Sequence, residues 1–135
     1  MINISDNKPY KHGLSYDDVL LIPMYSDIQS RTEIDLTSVL GNNLSLRLPI
    51  LSSPMDTVSE SDMCVAMDAA GGAGIIHRYN TIEQQSVIVA RTVKNVNNNI
   101  GAAVGISGDY LERASELANQ GVNFVCVDVA HGHHV

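Results

Sequence analysis

An α/β fold with parallel strands and helices packed outside them is what this sequence predicts, and three observations predict it. Four short stretches, "LPILSSPM", "AGIIHRY", "IGAAVGIS" and "NFVCVDVA", are apolar at successive rather than alternate positions, as strands buried on both faces are. The three segments between them carry apolar residues at helical spacing. Those segments open on polar capping patterns and close on glycine or asparagine, so each apolar stretch is set off from the next helix. From Leu48 onward the order is βαβαβαβ, the alternation that builds a parallel sheet.

The elements follow in order. Residues 1–13 are polar and are expected to be a loose segment, with a folded region over 14–135. "LSYDDVLLIP" is a short apolar run closed by Pro23, and an irregular polar stretch continues to Ser38. "NLSLRLPI" alternates apolar and polar residues, the pattern of a half-exposed strand. "LPILSSPM" is the first buried strand. Ser59 and Asp62 form an S-x-x-D signature that predicts a helix carrying Met63, Val65, Ala66, Met67 and Ala70, stopped at Gly71 and Gly72. After "AGIIHRY", Thr81 and Gln84 cap a second helix with Ile82, Val87, Ile88, Val89 and Val93, which the asparagines at 97–99 end. Past "IGAAVGIS", Asp109 and Glu112 open a third helix with Leu111, Ala114, Leu117 and Ala118, and Gly121 ends it.

Two parallel architectures have this order. An open dinucleotide-binding sheet requires a G-x-G-x-x-G turn between its first strand and helix. "SSPMDTVSE" contains no glycine, and the glycines of "GGAGIIH" precede a strand. The prediction is therefore the N-terminal half of a (β/α)8 TIM barrel, whose whole takes about 250 residues, so a chain of 135 residues is expected to be incomplete at its C-terminus. Barrel active sites sit at the carboxyl ends of the strands, here Ser52–Thr57, His77–Asn80, Gly105–Gly108 and Asp128–His134.

A net charge of −7 argues against a broad electrostatic grip on nucleic acid or an anionic membrane. No apolar run approaches the roughly 18 residues of a membrane span, and the first dozen residues lack a signal-peptide core. Cys64 and Cys126 lie far apart in apolar surroundings without C-x-x-C spacing, as buried thiols of a reducing compartment do. A cytoplasmic protein is expected.

Five stretches, "LSYDDVLLIP", "LPILSSPMDTVSE", "AMDAAGGAGIIHRYNTIEQQ", "GAAVGISGDYLERASELANQGV" and "VCVDVAHGH", together resemble the family of IMP dehydrogenases and GMP reductases. The resemblance runs from about Leu14 to the last residue. It implies a (β/α)8 barrel, a homotetramer, and a purine nucleotide (IMP, XMP or GMP) bound at the carboxyl face. Residue by residue, it places Ser53 and Met55 at the nucleotide and Asp128 on the ribose of the nicotinamide cofactor, where a carboxylate offers acceptors to hydroxyl donors. His77 and Arg78 match the pair that follows the second strand, with Arg78 near the cofactor or the reacting base. The implied cofactor is NAD, or NADP for a reductase, and a monovalent cation such as potassium belongs to the same expectation for the complete enzyme.

In this family a cysteine thiolate attacks the purine C2 and the adduct exchanges hydride with the nicotinamide. The nucleophile belongs to a "G-S-x-C-T" loop that this sequence lacks, so no catalytic residue is assigned in this chain and the nucleophile is expected beyond Val135. Cys64 and Cys126 read as packed thiols unsuited to the role. "SSPMDTVSE", "GGAGIIH" and "GAAVGIS" lean towards oxidation of IMP to XMP in GMP biosynthesis. Val129 and Ala130 after Asp128, and "VNNNI" where most dehydrogenases insert a pair of regulatory domains, also suit a GMP reductase. A third reading is a non-catalytic nucleotide-binding or subunit-interaction fragment. His131, His133 and His134 would need a tightly wrapped backbone to share a metal, so they read as loop and cofactor-rim residues, with no metal site expected.

Overall fold

The computed structural model describes residues 13–41, 44–97 and 99–134. The chain divides into two units, one up to Ile34 and one from Asp35. Of the segment expected to be loose over 1–13, only Gly13 lies within the described residues. Among its described residues the first unit holds two single 3-10 turns, Tyr16–Asp18 and Arg31–Glu33. Ser15 starts the former by donating from its amide and its hydroxyl to the Asp18 carboxylate, at 2.9 and 2.8 Å. The Ser30 hydroxyl starts the latter by accepting from the Thr32 amide at 3.3 Å.

The second unit begins with an antiparallel hairpin, β1 (Ser38–Gly41) against β2 (Leu44–Leu46), with Ser38 opposite Leu46. Only β2 was expected, as part of a strand over 43–50. The stretch "LPILSSPM" is the larger correction. In place of a buried strand it makes a single parallel bridge, Leu51 to Ala73, and Ile50 and Leu51 stay about half exposed. The ladder stops there because the Ser52 hydroxyl, not a main-chain carbonyl, takes the Ile75 amide at 3.3 Å. Two residues on, Pro54 has no amide to give.

Helix α1 is Ser61–Ala70. Its N-cap position is Glu60, not Ser59; Ser59 is fully buried, and its hydroxyl bonds Ser52 and the Ser53 carbonyl. The buried side is Ser61, Cys64 and Asp68, while Met63, Ala66 and Ala70 of the expected apolar face are exposed. Gly71 ends the helix at φ 95°, the left-handed conformation that a glycine adopts without strain.

Strands β3 (Gly74–Ile76), β4 (Ile100–Val104) and β5 (Phe124–Val127) form a parallel sheet in sequence order, with Gly74 opposite Ile100 and Gly101 opposite Phe124. β3 and β4 are buried throughout. β5 is not: Val125 and Val127 are exposed, and only Phe124 and Cys126 are half-buried. Between the strands run α2 (Ile82–Val93) and α3 (Tyr110–Asn119). The core is Cys64, Ile76, Val89, Ile100, Ala102, Val104 and Leu117.

The predicted cap of α2 is present on both sides. The Gln84 amide donates to the Thr81 hydroxyl at 3.2 Å, and the Thr81 amide donates to the Gln84 side chain at 3.1 Å. The helix ends at Val93, before the asparagine run credited with stopping it. α3 does start after Asp109, but that carboxylate turns to Arg113 and not to the helix amides. The α2–β4 connection is fastened at both ends. Asn97 donates from its amide and side chain to the buried Asp68 carboxylate (2.9 and 3.2 Å), and the Ile100 amide donates to the Asn123 side chain at 3.1 Å.

Candidate functional site at the strand ends

Because β3, β4 and β5 are parallel, the residues that follow them emerge on one edge of the sheet. Arg78 leaves β3 and Asp128 leaves β5, and the two meet. The Arg78 Nε donates to Asp128 Oδ2 at 3.1 Å, and its Nη2 donates to the Asp128 main-chain carbonyl, also at 3.1 Å. Both side chains are part-buried. The reach across β4 is open because the strand is followed by Gly105, where a Cβ would stand 3.3 Å from Arg78 Nη1. The guanidinium also lies 5.7 Å from the Tyr79 ring centroid. The hydrogen bonds engage Oδ2 of Asp128, which leaves Oδ1 to accept from a ligand hydroxyl.

Ser53 and Met55 follow the Leu51 bridge on the same side of the sheet, both exposed. The Ser53 carbonyl accepts from the Ser59 hydroxyl, which fastens this loop to the residue before α1. Among the described residues no hydrogen bond joins Ser53 or Met55 to Arg78 or Asp128. The structure therefore brings together the two residues expected at the cofactor and sets the two expected at the nucleotide in the neighbouring loop. His77 is buried; its Nε2 meets Glu60 Oε1 at 3.1 Å and its Nδ1 accepts the Tyr79 amide at 3.2 Å.

A shallow apolar groove of about 460 Å³ runs beside this edge, lined by Ile106, Val127, Val129, Ala130, His131 and His134. A larger one of about 630 Å³ lies between α2 and α3, where Glu83, Glu112 and Glu116 face it. The strand ends remain the better candidate, because there charged side chains that follow two different strands converge. The His131 and His133 rings meet edge to face with centroids 6.3 Å apart. Among the described residues no three His, Cys, Asp or Glu side chains are grouped to hold a metal ion, and no helix is long and apolar enough to cross a membrane.

One cluster was not anticipated. Arg113 of α3 is buried and donates to both Asp109 oxygens (2.7 and 3.3 Å), to Gln85 Oε1 at 2.8 Å and to the Asn80 carbonyl at 3.0 Å. Fully buried Gln85 completes it, donating to the Ala103 carbonyl at 3.0 Å and the Ile76 carbonyl at 3.5 Å. The Asp109–Arg113 spacing of four was the available signal. This cluster ties the loop after β3, which carries Arg78, to α2, α3 and the sheet.

Burial pushes the Cys64 thiol up to about 12. Cys126 is also raised, first by burial and then by the Asp128 charge, although it is only half-buried and not enclosed as expected. In the folded protein near pH 8, a soluble disulfide reagent should modify Cys126 slowly and leave Cys64 intact, because the thiolate is the reacting form. Mass mapping of the modified peptides checks this, and prompt native labelling of Cys64 contradicts it.

A sequence model of the IMP dehydrogenase / GMP reductase domain matches residues 13–135. An inosine-5'-monophosphate dehydrogenase of Nitrosopumilus maritimus is 48% identical over 100 residues, covering 74% of this chain and 21% of that protein. One from Borreliella burgdorferi is 33% identical over 176 aligned positions, 94% of this chain and 43% of that protein. A GMP reductase of Leishmania donovani is 46% identical over 79 residues, 58% of this chain and 16% of that protein. The chain thus spans less than half the length of these relatives.

Proposed function

The chain belongs to the family of IMP dehydrogenases and GMP reductases, and on that premise we propose that it is the nucleotide- and cofactor-binding N-terminal part of a purine-nucleotide oxidoreductase. The complete protein is a (β/α)8 barrel that oxidises IMP to XMP with NAD. The observation that carries the reading is the meeting of Arg78 and Asp128 at the carboxyl ends of parallel strands, where such folds bind ligands. Ser53 and Met55 face the nucleotide; Asp128 accepts from the cofactor ribose through its remaining oxygen, held in place by Arg78. A nicotinamide cofactor held there by Asp128 would supply hydride exchange with the purine. Neither thiol of this chain suits the nucleophile's role, so that group comes from elsewhere in the protein, and the 135-residue chain alone gives no turnover. The proposal extends to a cytoplasmic homotetramer, to a monovalent cation in the complete enzyme, and to no metal at the terminal histidines.

GMP reduction with NADPH is the second reading. It is favoured by Val129 and Ala130 after Asp128 and by the short connection from Val96 to Ile100. Absorbance of the reduced nicotinamide decides between them: the full-length protein is given IMP with NAD, or GMP with NADPH. Activity with neither pair sinks both.

In the full-length protein Asp128→Ala should raise the cofactor KM about ten- to a hundredfold, since a hydrogen bond to a charged group is worth about 1.5–3 kcal/mol and about 1.4 kcal/mol is tenfold. The nucleotide KM should stay. Ser53→Ala should do the reverse, weakening nucleotide binding by about 0.5–1.5 kcal/mol. Unchanged affinity in either variant removes that residue from the site.

A further inference from the structure

We propose that His77 is a positioning residue whose protonation state decides whether Arg78 is held on Asp128. His77 is the first residue beyond β3, and its side chain is 5% exposed. The Tyr79 main-chain amide points at its Nδ1 from 3.2 Å. A main-chain N–H only donates, so Nδ1 is the acceptor and the ring proton is on Nε2, which donates to Glu60 Oε1 at 3.1 Å. Glu60 stands at the N-cap position of α1, yet its side chain caps none of the helix amides and takes the ring instead. The His77 amide is fastened to the Ser59 carbonyl at 3.3 Å.

The Tyr79–Nδ1 hydrogen bond closes a ring through the backbone of Arg78, and so fixes the direction in which the guanidinium leaves the turn. A second proton on His77 has only Nδ1 to occupy. Two N–H donors would then face each other, that bond is lost, and the turn opens while the imidazolium is drawn towards Glu60. Arg78 is released from Asp128. The charged and titratable groups around the ring are Glu60 from the start of α1, Arg78 and Tyr79 on the turn, and Glu83 of α2 in the same cleft. Arg113 of α3 holds the Asn80 carbonyl and is itself paired with Asp109, and Asp128 follows β5. The consequence for cofactor binding rests on the reading of Asp128 given above; the coupling of His77 to Arg78 does not.

Selective 15N labelling of histidine, tyrosine and arginine in the full-length protein tests the coupling as pH is lowered from neutral. The His77 ring, the Tyr79 amide and the Arg78 Nε signals should move with one shared midpoint. Glu60→Gln keeps an acceptor for Nε2 and removes the neighbouring charge, and the three signals should still move together. His77→Asn offers an uncharged acceptor to the same amide, and should hold the Tyr79 and Arg78 signals at their neutral-pH positions throughout. Should that variant not fold, the unsubstituted protein and Glu60→Gln still decide. A His77 ring that titrates while Tyr79 and Arg78 stay, or one that stays neutral until the protein unfolds, overturns the proposal. In activity assays the cofactor KM should rise with the same midpoint and become independent of pH in His77→Asn. A shared midpoint in the spectra with a cofactor KM that ignores it leaves the coupling standing and removes Asp128 from the cofactor.

Discussion

Gly74→Ala should destabilise the fold by about 3 kcal/mol, at the upper end of what overpacking usually does. A Cβ at Gly74 would overlap Cys64 Sγ and stand 2.5 Å from Cys64 Cα and 2.7 Å from its Cβ. Cys64 is fully buried and one of these atoms is main chain, so no rotamer change relieves the clash. α1 must lift from β3, or β3 must shift against Ile100. The denaturant midpoint of the full-length variant measures the loss. Adding Cys64→Ala should restore only part of it, because the clash with the helix main chain remains. Gly108→Ala is the contrast: its φ of 65° is unfavourable for alanine but nothing lies within 4 Å of the new methyl, so about 1 kcal/mol is expected. Equal midpoints for Gly74→Ala and the parent protein would falsify the account of close helix–strand packing.

Arg113→Ala should lower stability by about 2–3 kcal/mol, somewhat below the 3–5 kcal/mol typical of breaking a buried pair because Asp109 is half exposed. The deletion strands Gln85 Oε1 inside the core and frees the Asn80 carbonyl. Thermal unfolding should show the loss, and hydrogen exchange should report a looser loop after β3. Arg113→Lys should recover little, since one ammonium cannot reproduce contacts to Asp109, Gln85 and Asn80 together. The hydrogen bond from Arg113, with its charge, holds the Asp109 carboxyl below the usual carboxylate range. A carboxyl depressed by folding stabilises above its unfolded pKa, and that contribution is lost as pH falls through the lower folded value. The parent protein should therefore lose more stability on acidification than Arg113→Ala does. Identical pH slopes would remove Asp109 from the network.

What was legible in the sequence was what one residue type or one short spacing decides. Thr81 and Gln84 announced the cap of α2, Gly71 and Gly121 the ends of α1 and α3, and unbroken apolar runs the buried β3 and β4. Two of the failures share a cause: side-chain hydroxyls took partners outside their own element. Ser59 satisfied the S-x-x-D spacing but turned inward to Ser52, leaving the cap position to Glu60. Ser52 took a strand amide and so ended a strand that the apolar pattern extended to Met55. The Arg78–Asp128 contact joins residues 50 apart; spacing placed each at a strand end, but only the parallel register puts them within reach. His77 was expected beside the site, while its tautomer followed only from the direction of the Tyr79 amide.

The fastening of Asn97 to Asp68 and of Ile100 to Asn123 makes the α2–β4 connection a socket. Chain inserted between those two anchors need not disturb a helix or a strand, because each end is already held by a partner outside the connection. Lengthening a loop so anchored adds only closure entropy, about 0.6 kcal/mol for each doubling. An insertion at this point should therefore leave β4 in register and the packing of α2 and the sheet on either side unchanged.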